Sequence, residues 1–408
     1  MRLHPLKALR PTPELAAHVA SVPYDVVNRE EAAELAEGNP LSFLHICRSD
    51  IDLPEDTDPH DPRVYAKAKE NLDRFLSSGV LIRDDQPSLY LYRQVTDGRA
   101  QVGVVGCVHI DDYEQDVIKK HERTRRDKED DRTRHVLTLN ANAEPVFLAY
   151  RGRPDIDRRV GEATKSEPLY DFTTSDGVRH TLWKIPDAQP YVDAFRHVPE
   201  AYVADGHHRT ASAWRAGQER RAENPTHRGD EEYDWFLAAL FPAQQLRILP
   251  YNRLVKDLNG QTPRDLLTTL DGVGRLSPTT DPVPPRPGTL CLYLDGHWYR
   301  LEFDESTIDR SDPIGSLDVA LLQDRVLAPV LAIGDARTDK RIDFVGGIRG
   351  TRELERRVDS GEMALAVSMY PTTLEQLMAV SDAGEIMPPK STWFEPKLRS
   401  GLLVHELE

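Results

Sequence analysis

The residues best suited to chemistry fall in three short runs: Lys120-His121-Glu122-Arg123, Asp205-Gly206-His207-His208-Arg209 and Lys390-Ser391-Thr392. In the second run, the apolar residues 201–204 read as a buried strand that passes through an Asp-Gly turn into a helix. A helix start presents unpaired N–H groups and a partial positive charge, which suit a phosphate. Gly206 would let a ligand approach the backbone, Arg209 could grip phosphate oxygens with two donors, and His207 and His208 could donate to them. Asp205 would hold Mg²⁺ or orient an attacking hydroxyl. The same pattern also describes an Asp-capped surface turn with solvated histidines. Spacing alone leaves both readings open.

Glu122 sits in a basic island. Residues 119–135 carry eight Lys and Arg against five Asp and Glu. A carboxylate among cations stays ionised and, if well positioned, accepts a proton from a substrate hydroxyl. His121, Arg123 and their neighbours could neutralise phosphates. A solvated charged helix with i,i+4 pairs is the plainer reading of this stretch alone. In the third run, Lys390 with Ser391 and Thr392 could hold a carboxylate or phosphate beside Trp393 and Phe394. A C-terminal loop docking on the core explains it equally well.

The elements that must position these runs alternate between strand and helix. Asn28 and Glu31 have capping-box spacing, and Asp61-Pro62 opens an amphipathic helix that stops at Gly79. Segments 88–95 and 102–110 read as strands joined through Asp97-Gly98, and 289–294 and 297–303 flank Asp295-Gly296 in the same way. Helical faces follow at 210–217, 317–327 and 373–383, with core strands at 235–241, 342–345 and 363–369. The fold class expected is therefore α/β (α+β). The boundary is placed at 246, giving domains 1–245 and 246–408.

Composition narrows the function classes. The chain has 408 residues, 39% of them hydrophobic, and a mean hydropathy of −0.55. No apolar run approaches the roughly 20 residues of a membrane span. Residues 1–5 lack the apolar core of a signal peptide, and three scattered cysteines fit a reduced compartment, so a cytoplasmic location is expected. The net charge of −16 argues against nucleic-acid binding, which depends on Lys and Arg neutralising phosphates. Zincin, Walker A, nucleophile-elbow and dinucleotide fingerprints are missing.

The ordered set Lys120–Thr124, Val203–Arg209 and Met387–Thr392 resembles a widespread bacterial family catalogued as a domain of unknown function. The Asp-Gly-His-His-Arg and Pro-Lys-Ser-Thr elements are also similar, in the same order, to the free serine kinases. That resemblance implies a ParB/sulfiredoxin-like core, here with an N-terminal extension, followed by a second C-terminal α/β domain closing the active-site cleft. It implies an enzyme, a nucleotide-dependent kinase that phosphorylates the hydroxyl of free L-serine or a similar metabolite, using ADP or ATP with Mg²⁺. Under it, Glu122 and Asp205 are catalytic, and Asp205 also binds the metal. Gly206, His207, His208, Arg209, His121 and Arg123 hold the nucleotide phosphates, and Lys390, Ser391 and Thr392 enclose the substrate. Two departures stand out: an added N-terminal region of about a hundred residues, and Trp393-Phe394 where those kinases carry basic residues. The alternative is a non-catalytic ParB-like nucleotide switch that binds a protein or DNA partner. A sulfiredoxin-type redox role would need a cysteine where this chain has His207 and His208.

Overall fold

Two Asp-Gly pairs set the hairpins of the two halves of the chain. Asp97 and Gly98 have φ of 49° and 72°, and Asp295 and Gly296 have 49° and 77°. Positive φ at both central residues gives a turn whose twist matches that of paired strands. Thr96 accordingly faces Arg99 across one hairpin, and Leu294 faces His297 across the other. The computed structural model describes residues 1–408 and divides into two compact units, Met1–Leu246 with Pro396–Glu408, and Arg247–Glu395.

The first unit is built on a nine-stranded sheet. Its strands are β1 (Leu3–His4), β2 (Leu89–Thr96), β3 (Arg99–His109), β4 (Ile118–Lys119), β5 (Val146–Tyr150), β6 (Tyr170–Thr173), β7 (Arg179–Ile185), β8 (Ala201–Asp205) and β9 (Trp235–Pro242). They run in the order β4-β8-β5-β9-β3-β2-β7-β6, with β1 added to β3. The β4–β8 and β5–β9 pairs are parallel and the others antiparallel. Continuous apolar runs in β5, β8 and β9 fit strands buried on both faces. Leu91, Val104, Leu148, Val203 and Phe236 belong to the main core.

Three helices matter for the site: α1 (Pro62–Ser77), α2 (Arg126–Leu139) and α3 (His207–Glu223). Asp61 caps α1, accepting from the Arg63 amide at 2.8 Å, with Pro62 in its first turn. Leu72 and Phe75 of α1 join Leu9, Phe43 and Ile46 in a second core that also takes in Leu139 at the end of α2. The N-terminal region therefore anchors α2 by burial worth about 1.5–3 kcal/mol per large apolar side chain. Asn28 and Glu31 form the expected capping box.

The second unit carries a six-stranded sheet, antiparallel throughout. Leu254, Cys291, Tyr293, Val345 and Ala366 lie in its core. The helix expected over 317–327 is α-helical only at Asp318–Leu322 and continues as one π-helical turn, Gln323–Leu327. The fold class is mixed α/β, and no helix is long and apolar enough to cross a membrane.

The sequence boundary at 246 leaves the C-terminal tail with the second domain, whereas Pro396–Glu408 packs with the first unit. Ser400 pairs with Ser21 through both backbone groups, Val404 with Leu9, and Gln94 Nε2 donates to the Lys397 carbonyl at 2.8 Å. Backbone pairing at this range has no local sequence signature.

Candidate functional site

Strand β8 ends in a register shift against β5 between Val203 and Asp205. Such an irregularity re-aims a side chain. Gly206 follows with φ 92°, and α3 begins at His207 with no side-chain cap. The Asp205 carboxylate is then held from two directions. Arg209 Nη2, one helical turn on, donates to Oδ2 at 2.7 Å, and Lys397 Nζ donates to Oδ1 at 3.0 Å. Burial pushes the Asp205 carboxyl up, but the Lys397 ammonium and Arg209 guanidinium outweigh it and hold the group well below the usual carboxylate range. Lys397 is correspondingly raised: burial opposes its charge, and Asp205 restores it.

Arg209 is nearly covered, at 7% exposure. Its Nη1 donates to the Pro145 carbonyl at 2.6 Å, and Nη2 also lies 3.4 Å from Asp25 Oδ2. The sequence expectation of a guanidinium offered to phosphate gives way here to one committed to protein oxygens. Gly206 makes this possible, since a Cβ on it would fall 2.9 Å from Arg209 Nε. The glycine leaves room for an internal arginine, where the sequence suggested room for a ligand.

The histidines are neutral at pH 7. Burial lowers His121 to about 4, His207 well below its ordinary value, and His208 less far. His121 and His207 meet edge to face with ring centroids 4.4 Å apart. The His207 Nε2 is buried without a hydrogen-bond partner. His208 Nε2 accepts from the Arg125 amide at 3.1 Å, which places its proton on Nδ1 and leaves one donor. Glu122 is half-exposed, with Oε2 3.9 Å from His207 Nδ1, so the first and second sequence runs do meet. Arg123 is exposed.

Half of the eight basic residues of the island are paired with acids around them. Lys119 pairs with Glu200, Lys120 with Asp116, Arg125 with Asp127 and Arg132 with Asp131. Residues from 126 onward form α2, whose Glu129 and Asp130 take Arg215 of α3. The helix expected here is present, but its charges pair with α3 and with adjacent residues instead of at i,i+4, and Asp131, Arg132 and His135 are buried.

Lys390, Ser391 and Thr392 belong to the second unit. Lys390 has φ 55°, with its ammonium 5.5 Å from the centre of the Tyr251 ring. Ser391 Oγ donates to the Pro388 carbonyl at 2.6 Å, and the Ser391 carbonyl accepts from Thr372 Oγ1 at 2.9 Å.

Asp205 does not fit the expected Mg²⁺ ligand. Both of its oxygens already meet a cation, and a divalent ion beside Lys397 and Arg209 would face two like charges. A grouping of metal-type side chains occurs on the loop after α3, at His227, Glu231 and Asp234. There the Glu231 carboxylate accepts the amides of Arg228, Gly229 and Asp230, and Arg221 holds Asp234, so these acids already order the loop.

Two members of the centre were missed in the sequence. Lys397 lies 192 positions from Asp205, and Asp25 184 from Arg209. The one available signal was a second Pro-Lys pair, Pro396-Lys397, shortly after Pro389-Lys390.

The first unit is thus a mixed α/β fold that holds a partly covered carboxylate between an arginine and a lysine at a helix start. The chain belongs to the family described as "Protein of unknown function (DUF1015)", whose model matches residues 3–320. No curated protein matches it. Among solved structures it is similar to a free serine kinase variant in complex with AMP, at 12% identity and TM-score 0.37, covering 73% of this chain and 91% of that one. A free serine kinase variant in complex with ADP gives 13% and 0.36, covering 73% and 92%. SbnI with C-terminal truncation, from Staphylococcus aureus, gives 13% and 0.38, covering 74% and 87%.

Proposed function

We propose that this protein is a nucleotide-dependent small-molecule kinase with a ParB/sulfiredoxin-like core, which phosphorylates the hydroxyl of free L-serine or a similar metabolite with ADP or ATP as donor. The observation that carries the reading is the Lys397–Asp205–Arg209 centre at the uncapped start of α3, with Glu122 beside His207.

Phosphoryl transfer asks a protein mainly for positioning and charge stabilisation. The amides that open α3 receive the donor's terminal phosphate, and the helix dipole favours its charge. His208 adds its Nδ1–H donor. Asp205, held ionised by two cations, is a weak base and acts as a fixed charge that orients Lys397 and Arg209. Glu122, whose surroundings are open, is the better base. The acceptor oxygen bonds to the terminal phosphorus as the bond from that phosphorus to the bridging oxygen breaks. The hydroxyl proton passes to Glu122, and the nucleotide leaves one phosphate shorter. Neutral His121 and His207 wall the site.

The test is direct detection of O-phosphoserine, or of the phosphorylated analogue, after incubation with ADP and with ATP. Product that depends on Glu122 supports the reading. Nucleotide binding with no phosphorylated product from any small hydroxy compound removes it, and leaves the non-catalytic switch.

A further inference from the structure

The spacing of α2 puts Lys128, Asp131, Arg132 and His135 on one helical face, at i, i+3, i+4 and i+7. That face lines a cavity of about 310 Å³, whose opposite wall comes from residues 24–64 of the N-terminal region. Charges within it are unequally engaged. Arg48 is spent on Asp50 in a two-pronged pair at 3.0 and 2.8 Å. Asp131 accepts from Tyr65 at 2.7 Å and from Arg132 Nε at 2.8 Å. Three groups keep capacity. Arg132 is 8% exposed, yet its Nη2 donates to nothing in the protein. The Lys128 ammonium has no ion pair, and Asp25 makes one long contact, 3.4 Å from Arg209 through one oxygen, while lying within the field of Lys397 and His208.

A covered guanidinium with an idle donor, an unpaired ammonium and a half-used carboxylate on one cavity complement a ligand with one anionic and one cationic end. Asp25 lines the cavity and also contacts Arg209, which holds Asp205, so the cavity abuts the centre described above. About 10–15 Å³ of such space is enough for one water, so a cavity of about 310 Å³ has room for an amino acid longer than serine.

We propose that this cavity, built by the N-terminal extension against α2, is the acceptor subsite and takes a hydroxyl-bearing zwitterion longer than serine. Its carboxylate meets Arg132 and Lys128, and its ammonium meets Asp25. The role as acceptor subsite rests on the kinase reading; the binding of a zwitterion does not.

Equilibrium binding to the full chain without nucleotide, by calorimetry or ligand-observed NMR, tests it with four probes: L-homoserine, L-serine, D-glycerate and ethanolamine. L-homoserine is expected to bind most tightly, and the two single-charged probes about ten- to hundredfold more weakly. Lys128→Gln, on an accessible position, should weaken homoserine binding about tenfold without changing ADP affinity. Arg132→Lys should do the same if it folds. Glycerate binding equal to homoserine, absence of binding by both amino acids, or an unchanged affinity in Lys128→Gln overturns the proposal. Phosphoryl transfer whose KM ignores Lys128→Gln would sink the subsite and spare the kinase. Zwitterion binding with no transfer would do the reverse.

Discussion

Lys397 Nζ lies 3.0 Å from Asp205 Oδ1, joining the C-terminal tail to the strand end that opens the site. Both groups are largely covered, so each depends on the other for its charge. Replacing Lys397 by Met should leave Asp205 held by Arg209 alone. We expect a loss of about 1–3 kcal/mol in urea unfolding, since a covered charge loses one of its two partners. The double variant Asp205→Asn, Lys397→Met should recover part of it. Additive losses in this cycle would mean the two groups do not communicate.

Gly206→Ala adds backbone strain and crowding at the same point. At φ 92° a Cβ is strained, and it would also press on Arg209 Nε at 2.9 Å. The expected cost is about 1–3 kcal/mol in unfolding free energy, with any phosphoryl transfer falling further than the folded fraction does. Unchanged activity per folded molecule would show that Arg209 need not sit against Asp205.

The hairpins, the caps and the Asp-Gly-helix element were legible because each is specified by neighbours in the chain, such as Asp97-Gly98 or Asn28 with Glu31. Charge pairing was not. The island at 119–135 reads as excess positive charge until α2 and α3 are side by side and Arg215 meets Glu129 and Asp130. The fate of Arg209 was hidden for the same reason. Its partners, the Pro145 carbonyl and Asp25, come from segments 64 and 184 residues away. A motif names the side chains present, but the tertiary fold decides which oxygens they meet.

Acid should weaken the protein well above the carboxylate range. Burial lowers His121 to about 4 and His135 to about 3 in the folded state. Below the ordinary histidine pKa near 6.5 the unfolded chain binds protons that these folded rings refuse, so stability falls as pH falls. Each contributes a slope of about 1.4 kcal/mol per pH unit, His121 from about 6.5 down to 4 and His135 down to 3. Asp131, held to about 2 by Arg132 and Tyr65 against the burial that would raise it, adds loss only below about 4. Urea midpoints between pH 7 and 4 check this. His135→Gln should flatten the slope, and an equal slope in that variant would refute the assignment.

Arg209→Lys decides what the arginine does. A guanidinium clamping phosphate would be missed only when nucleotide is present, because lysine binds phosphate as a point charge but cannot form the fork. The contacts here predict the opposite order of events. Lysine has no planar fork with which to serve the Pro145 carbonyl, Asp205 and Asp25 together, so the ligand-free protein should lose about 2–4 kcal/mol. Asp205 should then be protonated at higher pH, since one of the two cations holding it down is displaced. Nucleotide affinity, measured at a temperature where the variant is folded, should change by less than about tenfold. A variant of normal stability that had lost nucleotide binding would return Arg209 to the phosphate and leave Lys397 as the principal partner of Asp205.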